Sequence, residues 1–371
     1  MKLRERIMAV LRHEEPDFVP VTIYTSLMPR GYGERHLRNM GLCLVEMGVS
    51  VYGIKTPKVK VQTAQDLASF NIDDRYSCIA KQKQTIERTY VTPVGNLSEK
   101  YKWNYTLFEW PVEWPIKTPQ DYEIAKYVID DTEYFLDEEE YVKTERILGD
   151  DGIMALGTPR SPLQSMLLEL MGYERFSIDY HTHTQEFEDL YRVFRKKQLE
   201  LYKVVADSAA EVVLLGDNIN GIVTNPKLYE KYCMPFYEDV ARILHNKGKI
   251  FGVHCDGKLN CLKRLIEKTQ MDVIEGFTPP PIGDVTIQDA RAAWKGKTLW
   301  TNFPATLAME TGLDRIRHET IGILREAAPG DDFALGMTED LGDIKSIHYE
   351  EILKTITETI MKHGTYPIGR V

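Results

Sequence analysis

The chain has 371 residues, 43% hydrophobic and 27% charged, an ordinary globular balance with length enough for a large core. Its net charge of −10 argues against nucleic acid as the main ligand, because phosphates repel such a surface. No apolar run reaches about 18 residues, so no membrane-spanning helix is expected.

The five cysteines, Cys43, Cys78, Cys233, Cys255 and Cys261, are scattered and form no CxxC pair, which fits a reducing cytoplasm. The first twelve residues place Leu3, Ile7, Val10 and Leu11 among charges. That pattern predicts an amphipathic helix and not a signal peptide. A strand follows Pro20 and ends at Tyr24 and Thr25. The polar segment 28–36 reads as a loop carrying Arg30 and Arg35, residues 37–47 as a helix, and 48–53 as a second strand. From about residue 59 to 115 short β-type runs flank the turn signal Pro93-Val-Gly-Asn96, which predicts an antiparallel hairpin excursion. Trp103, Tyr105, Phe108, Trp110 and Trp114 crowd into it. They either line a pocket for a flat apolar substrate or form a satellite core. A helix starts near Thr118, and the acidic stretch 130–145 reads as a solvated helix.

Beyond residue 150 short apolar runs alternate with helical patterns. Strands are expected at 153–156, at 211–215 ending in Asp217 and Asn218, at 249–256, at 272–277, at 298–303 and at 333–337. Helices are expected at 163–171, 187–208, 225–245, 259–268, 286–294, 313–327 and 344–363. The last strand delivers Thr338, Glu339 and Asp340. Six such strands, with two before residue 55, make the eight of an α/β TIM (β/α)8 barrel. The reading is one barrel domain, 1–371, with an N-terminal helical start and the hairpin excursion. No GxGxxG follows an early strand, which weighs against a dinucleotide fold.

The stretch Lys249-Ile-Phe-Gly-Val-His-Cys-Asp-Gly257 carries the chemistry. An imidazole, a thiol and a carboxylate end one buried strand, and all three groups bind metals or move protons. Side chains alternate along a strand, so His254 and Asp256 point one way and Cys255 the other. If the strand at 272–277 is its neighbour in the barrel, Glu275 sits beside His254. The bland alternative is a histidine that only makes structural hydrogen bonds. Asp217 and Asn218 either bind substrate or cap the loop that follows them. Tyr24 and Asn302, at strand ends, are candidate substrate contacts by position, as is Trp110 in the aromatic cluster.

The opening Arg4-Glu-Arg-Ile-Met-Ala-Val-Leu-Arg-His-Glu-Glu-Pro-Asp-Phe-Val-Pro20 resembles the start of the uroporphyrinogen decarboxylase superfamily. So do Asp217-Asn218, the run Asn225-Pro-Lys-Leu-Tyr-Glu-Lys-Tyr-Cys-Met-Pro-Phe-Tyr237, and Val253-His-Cys-Asp-Gly257. The resemblance covers nearly the whole chain and implies a TIM barrel with one of two chemistries. True decarboxylases bear an Arg-Gln-Ala-Gly-Arg motif, where this chain has Met28-Pro-Arg-Gly-Tyr32 and lacks the paired arginine. The second chemistry is corrinoid-dependent methyl transfer, which implies a zinc site on the barrel and a partner protein carrying the corrinoid. Zinc-thiolate members use His-x-Cys and a cysteine near the last strand. Here Asp256 stands where that cysteine would be, Cys255 is shifted by one, and Gly336-Met-Thr-Glu339 holds no cysteine.

The expected zinc set is therefore His254, Asp256, Glu275 and Glu339, with Cys255 as a substitute for Asp256. This set is hard and oxygen-rich, and suits a Lewis acid acting on an ether or alcohol oxygen. A version without metal makes His254 a general acid, its tautomer held by Asp256 or Asp217. The expectation is a cytoplasmic methyltransferase, monomer or homodimer, moving a methyl group from a small donor such as a methoxylated aromatic to a Co(I) corrinoid. The alternatives are a decarboxylase of uroporphyrinogen or a related acid, and a non-catalytic binding subunit.

Overall fold

Eight short strands close into a parallel barrel in the computed structural model, which describes residues 1–65, 85–103, 109–310, 312–339 and 346–369. They are β1 (Val21–Tyr24), β2 (Leu42–Glu46), β3 (Gly152–Thr158), β4 (Val212–Leu215), β5 (Ile250–His254), β6 (Val273–Phe277), β7 (Thr298–Asn302) and β8 (Phe333–Met337). Each pairs with the next in chain order, and β8 returns to β1. Runs such as Val-Val-Leu-Leu in β4 are buried on both faces, as strands of a helix-covered parallel sheet must be. The expected TIM barrel is present. Among the described residues no helix is long and apolar enough to cross a membrane.

The first helix, α1 (Leu3–Leu11), packs into the barrel core. Ile7, Met8 and Leu11 join inward residues of six strands in one buried cluster, among them Val45, Ala155, Leu214 and Trp300. Trp300 donates its indole N–H to the Thr22 hydroxyl at 2.9 Å, so the large ring keeps a polar partner inside the core. The core fills the barrel interior, and chemistry is left to the C-terminal strand ends.

Three expectations near the N-terminus need correction. Residues 28–36 are not all loop, because a helix runs from Tyr32 to Met40. It stops at Gly41, whose φ of +125° suits glycine and few other residues. The predicted helix 37–47 is cut there, and Leu42–Glu46 is the second barrel strand. The apolar run Leu-Cys-Leu-Val satisfies either period, and burial between β1 and β3 decides for strand. The segment 48–53, expected as that strand, is not in the barrel; Tyr52–Lys55 pairs in a separate two-stranded sheet with Glu133–Leu136. The acidic stretch 130–145 accordingly contains that strand before its helix, Glu139–Leu148.

The contacts divide the chain into two compact units. The first comprises Met1–Tyr52, Leu136–Pro159 and Val205–Val371 and contains the barrel strands. The second comprises Gly53–Phe135 and Arg160–Val204. Its centre is an antiparallel sheet in the order Lys60–Gln65, Thr85–Thr92, Gly95–Trp103, Glu109–Glu113, which includes the expected hairpin. Glu99, 4% exposed, accepts the phenol hydroxyls of Tyr90 and Tyr101, each at 2.8 Å. Trp114 donates its ring N–H to the Leu168 carbonyl at 2.8 Å, a packing role within this unit. Tyr105, Phe108, Cys78 and Asp340 lie outside the described residues.

Candidate active site

β5 and β6 are neighbours, and their parallel register sets His254 opposite Glu275. Both residues end up at the C-terminal end of the barrel, where strand-end side chains meet. His254 Nδ1 lies 2.5 Å from Glu275 Oε2. The other oxygen, Oε1, accepts the Tyr24 hydroxyl at 2.7 Å from the end of β1. The far ring nitrogen, Nε2, faces Asp256 Oδ2 at 3.7 Å. Tyr24, Glu275, His254 and Asp256 thus form one chain of polar contacts drawn from three parts of the sequence.

The electrostatics follow from burial. The Glu275 side chain is 1% exposed and that of His254 16%. Burial opposes charge on the imidazole, but Glu275 and then Asp256 outweigh it and raise its pKa from 6.5 to about 10. The shift favours the protonated ring. Burial, with Glu275 beside it, pushes the Tyr24 phenol well above its ordinary value, so it stays a donor. Burial and then Asp256 raise the Glu339 carboxyl, opposed by His254, with Glu275 adding to the rise. Glu339 therefore belongs to the same electrostatic cluster.

The other candidates fall elsewhere. Cys255, directly after β5, is fully buried, and burial pushes its thiol well up. Asp217 is also fully buried, and it accepts the Tyr237 hydroxyl at 2.5 Å. His254 is instead held by Glu275, with Asp256 facing its other nitrogen. Asn218 is exposed and has a φ of +50°, a conformation asparagine tolerates. Asn302 is 1% exposed. Its carbonyl oxygen accepts from the Thr338 N–H and hydroxyl at 3.2 and 2.9 Å, so its bonds run to the protein. Trp110 is 63% exposed on the edge strand of the second unit's sheet. Near the N-terminus Arg30 lies 3.7 Å from Glu34, and Arg38 pairs with Asp151 and Glu34.

Three residues of the expected zinc set, His254, Asp256 and Glu275, face one another directly. Glu275 already uses one oxygen for Tyr24 and the other for His254. Among the described residues no group of three or more His, Cys, Asp or Glu side chains is arranged to hold a metal ion. Tyr24, Glu275, His254 and Asp256 line up as one chain of polar contacts, and Glu339 is coupled to it electrostatically.

The uroporphyrinogen decarboxylase (URO-D) family profile matches residues 112–337, more than half of the chain. The chain belongs to the uroporphyrinogen decarboxylase family. The matched span holds Asp217, His254, Asp256, Glu275 and Asn302, while Tyr24 and Glu339 lie outside it. No curated protein matches significantly. Among solved structures, a methyltransferase from Methanosarcina mazei is 11% identical with a TM-score of 0.57, covering 96% of this chain and 98% of that one. A B12-independent methionine synthase from Shewanella sp. W3-18-1 is 12% identical with a TM-score of 0.46, covering 93% and 98%. At such identities the likeness to the first is one of fold.

Sequence reasoning missed Gly276 and Tyr237. A glycine inside the strand pattern Val-Ile-Glu-Gly-Phe was the available signal for a bulge. Nothing local marked Tyr237, because its partner lies 20 residues away on another element.

Proposed function

We propose that this chain is a methyltransferase that moves a methyl group from a methoxylated aromatic to the Co(I) corrinoid of a partner protein. The observation that carries the reading is the His254 imidazole, anchored through Nδ1 on Glu275 with Nε2 left to face the site, a setting that raises its pKa. Fold likeness to a methyltransferase, within the decarboxylase family, supports the reaction class. The corrinoid supplies the nucleophile that takes the methyl group.

The chain's own residues handle the leaving oxygen. As the methyl–oxygen bond breaks, its electron pair stays on the oxygen, and the proton on His254 Nε2 passes to it. Glu275 and Asp256 raise the His254 pKa against the cost of burial, which keeps a proton available for the leaving oxygen. Glu275 keeps the ring oriented, and Tyr24 keeps Glu275 in place. The carboxylates around the ring weigh against the decarboxylase alternative, because a polycarboxylate substrate would be repelled.

The test is demethylation of a methoxyarene panel by purified chain, corrinoid protein and a low-potential reductant, with the free phenol measured. Phenol release that His254→Ala abolishes supports the reading, and no release from any donor overturns it. Elemental analysis tests the zinc expectation. One zinc per chain, lost in His254→Ala, would make the hydrogen-bonded chain a ligand set and remove His254 from acid catalysis.

A further inference from the structure

Gly276 sits directly under the catalytic imidazole. The register between β6 and β7 slips between Glu275 and Phe277, so Gly276 is the extra residue of a β-bulge. Its φ is +71°, in the left-handed region. A Cβ at this position would lie 2.3 Å from His254 Cε1 and 2.5 Å from Nδ1, so the ring occupies the space a side chain would fill. Any residue but glycine has to push the imidazole off its seat on Glu275.

The bulge is itself tied down. The Gly276 carbonyl accepts from the Thr278 hydroxyl at 3.1 Å and from Asn302 Nδ2 at 3.4 Å. Asn302 in turn accepts from both the N–H and the hydroxyl of Thr338 through its Oδ1. Thr338 directly precedes Glu339, whose carboxyl is coupled to the same cluster. One buried amide therefore links the bulge on β6 to the end of β8.

We propose that the Gly276 bulge and its Asn302 clamp are the positioning elements that set His254 against Glu275, with Asn302 acting through the backbone and not on substrate. The proposal rests on the acid role assigned to His254 above. A misplacement near 1 Å is enough to cost about a hundredfold in rate. The need for glycine is steric and conformational at once, because both the missing Cβ and the positive φ are used.

The test uses Gly276→Ala and Asn302→Asp in the full chain. Asn302→Asp keeps the acceptor for Thr338 but turns a carboxylate oxygen toward the Gly276 carbonyl. The readout is the far-downfield proton resonance of the His254 Nδ1–H bonded to a carboxylate, assigned by its absence in His254→Gln. In both variants that resonance is expected to shift upfield or vanish while the fold, followed by circular dichroism, is retained. In the methyl-transfer assay kcat falls about a hundredfold with KM little changed. If Gly276→Ala does not fold, Asn302→Asp decides. A folded Asn302→Asp with an unmoved resonance and unchanged kcat overturns the proposal. The resonance is read without donor or corrinoid, so the two readings fail separately. A moved resonance in a protein that demethylates nothing sinks the methyl-transfer reading alone. An unmoved one in an active enzyme sinks the positioning role alone.

Discussion

Replacing Glu275 with Gln keeps the side chain's shape and an acceptor for the Tyr24 hydroxyl. It removes the charge that sits 2.5 Å from His254 Nδ1. In the native chain burial works against the imidazolium, and Glu275 with Asp256 overrides it, raising the pKa from 6.5 to about 10. A rise of that size corresponds to at most about 5 kcal/mol of stability, at ~1.4 kcal/mol per tenfold change in proton affinity. Asp256 supplies part of it, and breaking a buried pair costs about 3–5 kcal/mol. Glu275→Gln is therefore expected to destabilise the fold by about 3 kcal/mol near pH 6. Because the folded pKa is the higher one, the pair's contribution is complete below 6.5 and is lost progressively as pH rises to about 10. The gap between native and variant should narrow across that window. Urea midpoints at fixed ionic strength, from about pH 6 to pH 10, measure it. A gap that does not change with pH, or a variant more stable than native near pH 6, would refute the reasoning.

Three more expectations follow from the same geometry. Tyr24→Phe leaves Glu275 Oε1 without its 2.7 Å donor, which should cost about 1–3 kcal/mol in thermal unfolding and lower kcat; unchanged values in both would show that Tyr24 does not hold Glu275. Tyr237→Phe removes a donor from the fully buried Asp217, at a cost of about 1–3 kcal/mol. It should leave the pH–rate profile alone, and a shifted profile would join Asp217 to the His254 chain. In the folded protein iodoacetamide should reach the exposed Cys261 and spare Cys43, Cys233 and Cys255, which are buried with raised thiol pKa values. Peptide mapping that finds Cys255 labelled as fast as Cys261 would contradict the burial at β5.

Much of the barrel was legible because its strands need continuous apolar runs, and those runs end in polar residues that can be read one by one. The His254 strand and the Glu275 strand were both found this way, and their adjacency follows once consecutive βα units are assumed to be neighbours. The second barrel strand was misread because Leu42 to Val45 fits a helical continuation as well as a strand. The break is set by backbone conformation at Gly41, which has no apolar signature.

Sequence by itself therefore determined the repeat of strand and helix, and which imidazole and carboxylates end the strands. These are properties of short windows, where burial and periodicity act residue by residue. Tertiary structure alone decided which of those groups meet. Tyr24 reaches Glu275 across 251 residues because the barrel closes β8 onto β1. Asp217 turns to Tyr237 and away from the role of orienting His254. Gly276 makes room for the ring through a register slip between two strands. Closure, register and bulges arise from the packing of whole elements against one another, and no local pattern encodes them.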